Sequence, residues 1–243
     1  MSFYTDTIKS TPGLVGHWPL DEASGNAIDR SAGGHNGTFT GTVTRATRTV
    51  AGFTAPDFGG GYVNLGDASV FSAPGLTGTL SVECWVNLDS VTGTVRMLVA
   101  KGGSSNHEWD MRMQTDGTPM FTTAKADGSN AVLESAGAAL SVGQAYHLLG
   151  TYNRNAPALN LYVNGVLIAT DTSVGLGGQM SDGNAPVLIG ERSDGGGDPV
   201  DGSVAQVAIY SRALTAVEAA WHYRVGLLGL AALWSGAAAP VAY

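Results

Sequence analysis

The sequence predicts an all-β fold, a two-sheet antiparallel jelly-roll sandwich with one short C-terminal helix. Three observations predict it. Short runs rich in Val, Leu, Tyr and Thr recur along the 243 residues, each bounded by Gly, Asp, Asn or Ser, as strands joined by tight turns do. Glycine accounts for 35 residues and supplies the positive φ that such turns demand. A strong helix signal occurs at one place only, near the C-terminal end, which leaves a sandwich or jelly roll as the architecture.

The first strand is Leu14-Val15-Gly16-His17-Trp18-Pro19-Leu20, followed by the turn Asp21-Glu22-Ala23-Ser24-Gly25-Asn26. Further strands are expected at residues 61–65, 80–88, 95–101, 109–113, 120–123, 146–152, 159–169, 187–189 and 204–210. Within 159–168, Asn164-Gly165 tolerates positive φ at both central positions, so a type I′ hairpin is expected there. Thr215-Ala216-Val217-Glu218 is a capping box, starting a helix that should run to about Arg224 and stop at Gly226. The expected organisation is an N-terminal extension at 1–12, one jelly-roll domain at 13–226 and an apolar tail at 227–243. Residues 225–243 carry no charge, but their Gly and Ala content, Pro240 and the lack of a basic anchor argue against a membrane span. An apolar tail that packs on its own sandwich or on a partner subunit is the expectation.

The formal net charge is −8, and the 12 basic residues are dispersed. Binding a phosphate backbone needs clustered Lys and Arg, so nucleic acid and anionic membrane surfaces are poor candidates as partners. The hydrophobic content of 44% is enough for a sizeable core. Cys84 is the one cysteine, which excludes an intramolecular disulfide, and its apolar neighbours read as a buried thiol. Met1-Ser2-Phe3-Tyr4-Thr5-Asp6 has neither the basic nor the apolar region of a secretory signal, so release in the cytoplasm is expected.

Several segments together resemble the laminin-G-like, pentraxin-like family of concanavalin A-like jelly rolls, of bacterial or phage type. They are Gly13-Leu14-Val15-Gly16-His17-Trp18-Pro19-Leu20-Asp21-Glu22 with Ser24-Gly25-Asn26, Asp29 and His35-Asn36-Gly37-Thr38; Tyr62-Val63-Asn64-Leu65-Gly66; Leu80-Ser81-Val82-Glu83-Cys84-Trp85-Val86; Tyr146-His147-Leu148-Leu149-Gly150-Thr151-Tyr152 before Leu161-Tyr162-Val163-Asn164-Gly165; and 201–215 with Glu218. The resemblance covers about residues 13–226 and implies the fold. It also implies a structural calcium ion where the opening turn meets the closing strand. The oxygens would come from Asp21, Glu22, Ser24 and Asn26 on the turn, with Asp201 and Gln206 from the strand. The sequence departs from the family pattern there, with Ala205 and Gln206 where an acidic residue is usual.

No catalytic set is legible. His107-Glu108-Trp109-Asp110 lacks the spacing of a zinc site, and alternation should place His107 with Trp109 on one face and Glu108 with Asp110 on the other. Glucan-cleaving relatives need a Glu-x-Asp-x-x-Glu strand that places two carboxylates about 5–5.5 Å apart, and none is present. The loop 193–201 gathers Asp194, Asp198 and Asp201 without the spacing of an EF-hand, and reads as solvated. A glycan platform could form from Trp109, Tyr62 and residues 102–106, or from Asn184 with Asp194, although strand aromatics are more often core.

The expected function is therefore a non-enzymatic binding or structural module. It would be a phage virion surface protein, a capsid decoration, fibre or tail-associated subunit, with a role in glycan adhesion. Its partners would be other virion or surface proteins reached through the termini, in an oligomer or larger assembly. The alternative is a free calcium-dependent carbohydrate-binding lectin, extracellular or on a cell surface.

Overall fold

The computed structural model describes residues 3–72, 78–103, 107–124, 130–134, 139–156, 158–172, 183–193 and 197–235. Its strands are β1 (Leu14–Trp18), β2 (Thr38–Thr40), β3 (Val43–Val50), β4 (Phe53–Gly59), β5 (Tyr62–Asn64), β6 (Thr79–Leu88), β7 (Arg96–Lys101), β8 (Trp109–Met113), β9 (Pro119–Ala124), β10 (Asn130–Glu134), β11 (Ala145–Asn153), β12 (Ala158–Val163), β13 (Val166–Asp171), β14 (Val187–Ile189) and β15 (Asp201–Tyr210). Two helices flank them, α1 (Phe3–Ser10) and α2 (Ala216–Ser235). One sheet has the order β13-β12-β11-β6-β15-β4-β3, with β1 also paired to β15, and the second has β10-β9-β8-β7-β14-β5-β2. The pairings are antiparallel, as a jelly-roll sandwich requires.

Strand β6 shows how the layers are organised. Leu80, Val82, Cys84, Val86 and Leu88 face the second sheet and join the main core. Ser81, Glu83 and Trp85 point the other way, as the two-residue period dictates, yet they are fully buried too. The reason is a third layer. α1 and α2 lie over the outer face of the eight-stranded sheet, and Tyr4, Ile8, Phe53, Trp85, Leu149, Tyr210 and Val225 form a second core beneath them. Tyr4 and Phe53 bracket the Trp85 indole, and Tyr223 stacks on it at 5.8 Å.

The expected Asn164-Gly165 hairpin is present: φ is 52° and 73° at these residues, and Val163 pairs with Val166. The capping box is present as well. The Thr215 amide donates to Glu218 Oε2 at 2.9 Å, and the Glu218 amide donates to Thr215 Oγ1 at 3.2 Å.

Three expectations are corrected. Residues 1–12 were expected as an extension, but α1 belongs to the fold, with Tyr4 and Ile8 fully buried. The helix expected to stop at Gly226 continues to Ser235. Glycine stands at 226 because a Cβ there would lie 2.2 Å from the Trp85 ring, so its role is close approach and not termination. Strands β2, β3, β4 and β10 were not expected; β3 is rich in Thr and Arg and half exposed, which hides the apolar alternation. No described helix is long and apolar enough to cross a membrane.

Candidate functional site

Strand β15 meets two successive partners along one edge. β4 pairs with it at Asp201 and Gly202, and β1 pairs with it from Val207 to Tyr210. Between them β15 bulges, its register against β6 shifting between Ala205 and Ala208. Gln206 occupies the bulge with φ of 54°, and Leu20, at the end of the neighbouring strand, has φ of 62°. Left-handed backbone at residues other than glycine costs about 1 kcal/mol each, and bulges are a common device for re-aiming a side chain. A cleft of about 470 Å³ opens here, walled by Lys9 of α1, Asp21 and Arg30 of the opening turn, and Phe53 and Thr54 from the start of β4, with Gln206 at its base.

Gln206 is 4% exposed. Its Oε1 lies 2.9 Å from His17 Nε2, and its Nε2 has no hydrogen-bond partner among the described residues. The His17 ring is buried, and its Nδ1 has no partner among the described residues. Burial lowers the His17 pKa, which favours the neutral ring. The tautomer with hydrogen on Nε2 leaves a bare acceptor at Nδ1, which is the less costly group to orphan. In that state His17 donates to Gln206 Oε1, and the carboxamide turns its NH₂ group toward the cleft.

Behind His17 the chain is anchored by Asp29. Its Oδ1 accepts from the amides of His17 and Ser31 at 3.0 and 2.8 Å, and its Oδ2 accepts from His35 at 2.9 Å. Burial alone would raise the Asp29 pKa, but these amides hold the carboxyl below its ordinary value.

Of the residues expected to hold calcium, Asp21 and Gln206 line the cleft together, but the six do not assemble around one point. Arg30 stands in the acidic turn, its Nη2 3.4 Å from Asp21 and 3.6 Å from Glu22. Glu22 Oε1 also accepts from the Ile28 amide at 3.0 Å, Oε2 is buried without a partner among the described residues, and burial raises the Glu22 pKa. Ser24 and Asn26 are exposed. Asp201 lies five residues from Gln206 along β15, roughly 16 Å at strand rise, and pairs with Arg96 at 3.8 Å. The donor set does not fit a calcium ion, since a guanidinium already neutralises the turn. Among the described residues no group of three or more His, Cys, Asp and Glu could hold a metal.

Of the residues expected to bind a ligand, Trp109 is corrected. Trp109 is a core residue, fully buried, its Nε1 donating to the Phe71 carbonyl at 3.2 Å. Asn184 is exposed, and Asp194 lies outside the described residues. His107 and Asp110, expected on opposite faces, meet at 2.6 Å, because strand alternation begins only at Trp109. Glu108 is held elsewhere, 3.0 Å from the buried Lys101 ammonium, which also donates to Asp67 and to the Ala185 carbonyl.

A further polar group lies beneath the helices. Glu83 Oε2 is 3.0 Å from His147 Nε2 and 3.0 Å from His222 Nδ1, and Tyr210 donates to Glu83 Oε1. These four side chains come from β6, β11, β15 and α2, and each is at most 1% exposed. Buried and bonded in this way, they tie α2 to the sheet.

The family comparison agrees with this architecture. The Laminin_G_3 family, described as the Concanavalin A-like lectin/glucanases superfamily, matches residues 57–220. The chain belongs to this family. Among solved structures, this laminin-G-like chain is similar to the botulinum neurotoxin serotype C1 binding domain, with a TM-score of 0.64 and 12% identity over 92% of this chain and 53% of that one. It is similar to the binding domain of botulinum neurotoxin DC in complex with SialylT, with a TM-score of 0.66 and 12% identity over 88% of this chain and 52% of that one. Domain 4 of AbnA, an extracellular arabinanase from Geobacillus stearothermophilus, in complex with arabinotriose, gives a TM-score of 0.63 and 21% identity, covering 86% of this chain and 98% of that one. The laminin-G-like chain thus spans about half of the toxin chains and nearly all of the arabinanase domain. At these identities the likeness speaks for the fold. No curated protein sequence matches the chain.

The cleft drew on a weak signal in the sequence. Asp21 and Gln206 were singled out for a different chemistry, while Lys9, Arg30 and Thr54 were not. The Ala51-Gly52 turn that follows the Thr- and Val-rich run 43–50, both residues at positive φ, is the local feature that could have revealed the β4 wall.

Proposed function

We propose that the chain is a non-enzymatic glycan-binding module, and that the cleft over the β15 bulge is where a sugar binds. The observation that carries this reading is Gln206, a buried carboxamide held on a left-handed bulge by His17, with its NH₂ left for an incoming oxygen. That NH₂ is not sealed from solvent, so a sugar hydroxyl or carboxylate entering the cleft would take the place of water as its partner. The fold relatives support the same class of ligand, since one binds arabinotriose and another SialylT. Asp21, the one carboxylate among the described residues lining the cleft, is held by Arg30. A paired acid and nucleophile is what glycoside cleavage needs, so binding without turnover is the reading.

The setting we propose is a phage virion surface, as a decoration, fibre or tail-associated subunit. The support is an apolar surface on the opposite flank. Val217, Trp221, Leu227 and Leu228 of α2 are exposed, as are Val166 and Leu167 on the hairpin that abuts it at Gly165. Apolar side chains gathered in this way mark an interaction surface, as a subunit of an assembly would have.

The test is a glycan array probed with the full-length protein, with calcium and again with EDTA, alongside a reducing-end assay on every glycan bound. Selective binding that EDTA leaves intact, without release of reducing ends, is the expected result. Absence of binding to any glycan would overturn the reading, and release of reducing ends would replace it with a hydrolase.

A further inference from the structure

Resting on the glycan reading, we infer that the cleft selects an acidic sugar, one whose carboxylate is held by Arg30, Lys9 and the Gln206 carboxamide. Three side chains on the cleft, Lys9, Arg30 and Gln206, offer hydrogen-bond donors. Lys9 has no ion-pair partner among the described residues. Arg30 makes contacts of 3.4 and 3.6 Å through Nη2 alone, which leaves the rest of its planar fork for a second carboxylate. Gln206 shows the cleft its NH₂, because its oxygen is taken by His17. Ammonium, guanidinium and carboxamide donors facing one space are complementary to a carboxylate and poorly matched to a neutral ring substituent.

Charge points the same way. The protein carries a net −8, yet Lys9 and Arg30 stand on this cleft against Asp21, with Glu22 3.6 Å from Arg30, so two cations offset two carboxylates here. The pairing of Arg30 with Asp21 does not fill the site. Both side chains are more than two-fifths exposed, where such a pair contributes little and yields readily to a better partner. Asp21 is then placed to accept from a sugar hydroxyl next to the carboxylate, so that an acidic monosaccharide would be read at two points. Phe53, one face buried against Tyr4 and Trp85, forms the apolar wall.

The experiment uses the full-length chain and matched pairs of immobilised oligosaccharides. One member of each pair carries a uronic or sialic acid, and the other is the same glycan with that carboxylate reduced to the alcohol. The acidic members are expected to bind at least about tenfold more tightly, the loss associated with one charge-assisted hydrogen bond. Lys9→Gln and Arg30→Gln, both at exposed positions, should each weaken acidic binding by a similar factor and leave the melting temperature nearly unchanged. Binding to acidic members should also fall as salt is raised from 50 to about 500 mM, as screening requires. Equal affinity for both members would overturn the acidic preference while leaving the glycan reading standing. Acidic binding untouched by both substitutions would place the carboxylate site elsewhere and overturn the assignment. No binding to either member of any pair would overturn both readings together.

Discussion

His222→Ala removes the contact between α2 and the buried Glu83 carboxylate. The wild-type imidazole lies 3.0 Å from Glu83 Oε2 through Nδ1 and 3.0 Å from Thr11 Oγ1 through Nε2, so it joins the sheet, α2 and the end of α1. Burial alone would raise the Glu83 pKa, but His222 and His147 hold it far below the ordinary carboxylate range. Burial would likewise lower the His222 pKa, but the Glu83 charge overcomes this and raises it. Removing one partner of a buried pair costs about 3–5 kcal/mol. Because Tyr210 and His147 still bond to Glu83 in the variant, the lower figure applies, about 3 kcal/mol. In a protein of this length that corresponds to a fall in melting temperature of roughly 6–12 °C.

Urea denaturation followed by tryptophan fluorescence measures the loss directly, since Trp85 packs against the same cluster. The pH dependence gives a second reading. His222, with a raised pKa, contributes its full share below its ordinary value of 6.5 and loses it as pH rises through the folded value. Glu83, with a depressed pKa, contributes fully above its ordinary value of 4.5 and loses its share only as pH falls through the folded value. The difference between wild type and His222→Ala should therefore be largest between about pH 4.5 and 6.5 and shrink on the alkaline side. A loss below about 1 kcal/mol, the level of an exposed pair, with no pH dependence, would refute the reasoning.

Other outcomes follow from the same structure. Gly226→Ala should destabilise the fold by about 1–3 kcal/mol despite alanine's better helix propensity, because the added methyl meets the Trp85 ring; a neutral or stabilising effect in urea would contradict the packing. Lys101→Ala should cost about 3–5 kcal/mol by stranding Glu108, which is 1% exposed, without its ammonium, and Lys101→Ala combined with Glu108→Gln should recover part of that loss. Burial raises the Cys84 pKa well above that of an ordinary thiol, so a thiol reagent should leave the native protein untouched and react fully in denaturant.

The main core was legible in the sequence because its signals are local. Asn164-Gly165 carries its own turn geometry, and Thr215 with Glu218 carries its own cap. Strands such as β8 and β14 are bounded by polar turns, and they fall where the pattern of apolar residues put them. The second core was not legible. Residues 80–86 show an unbroken buried run instead of alternation, and nothing in that run says what covers Glu83 and Trp85. The covering pieces are residues 3–10 and 216–235, more than 200 positions apart in the chain. The eight residues of α1 are too few to show a helical period. Glycine at 226 looked like a stop because the rule for helix ends knows nothing of the indole beneath it.

The cleft hid for the same reason. Lys9, Arg30, Thr54 and Gln206 are brought together by α1, a turn, β4 and a bulge, and no spacing in the sequence links them. The family resemblance drew attention to the opening turn and to position 206, but for a calcium ion. Asp21 and Glu22 meet the Arg30 guanidinium there, a contact that sequence position alone does not reveal.

The central claim is that sugar binds in the cleft over the β15 bulge, and Thr54→Trp tests it most directly. Thr54 is exposed on β4 at the cleft wall, and tryptophan is well tolerated in strands, so the variant should fold with an unchanged melting temperature while its indole fills the space. Titration calorimetry of wild type and variant against one array-positive oligosaccharide is predicted to show binding to the wild type and none to Thr54→Trp. Equal binding by a folded variant would contradict the account and move the sugar to another surface of the sandwich.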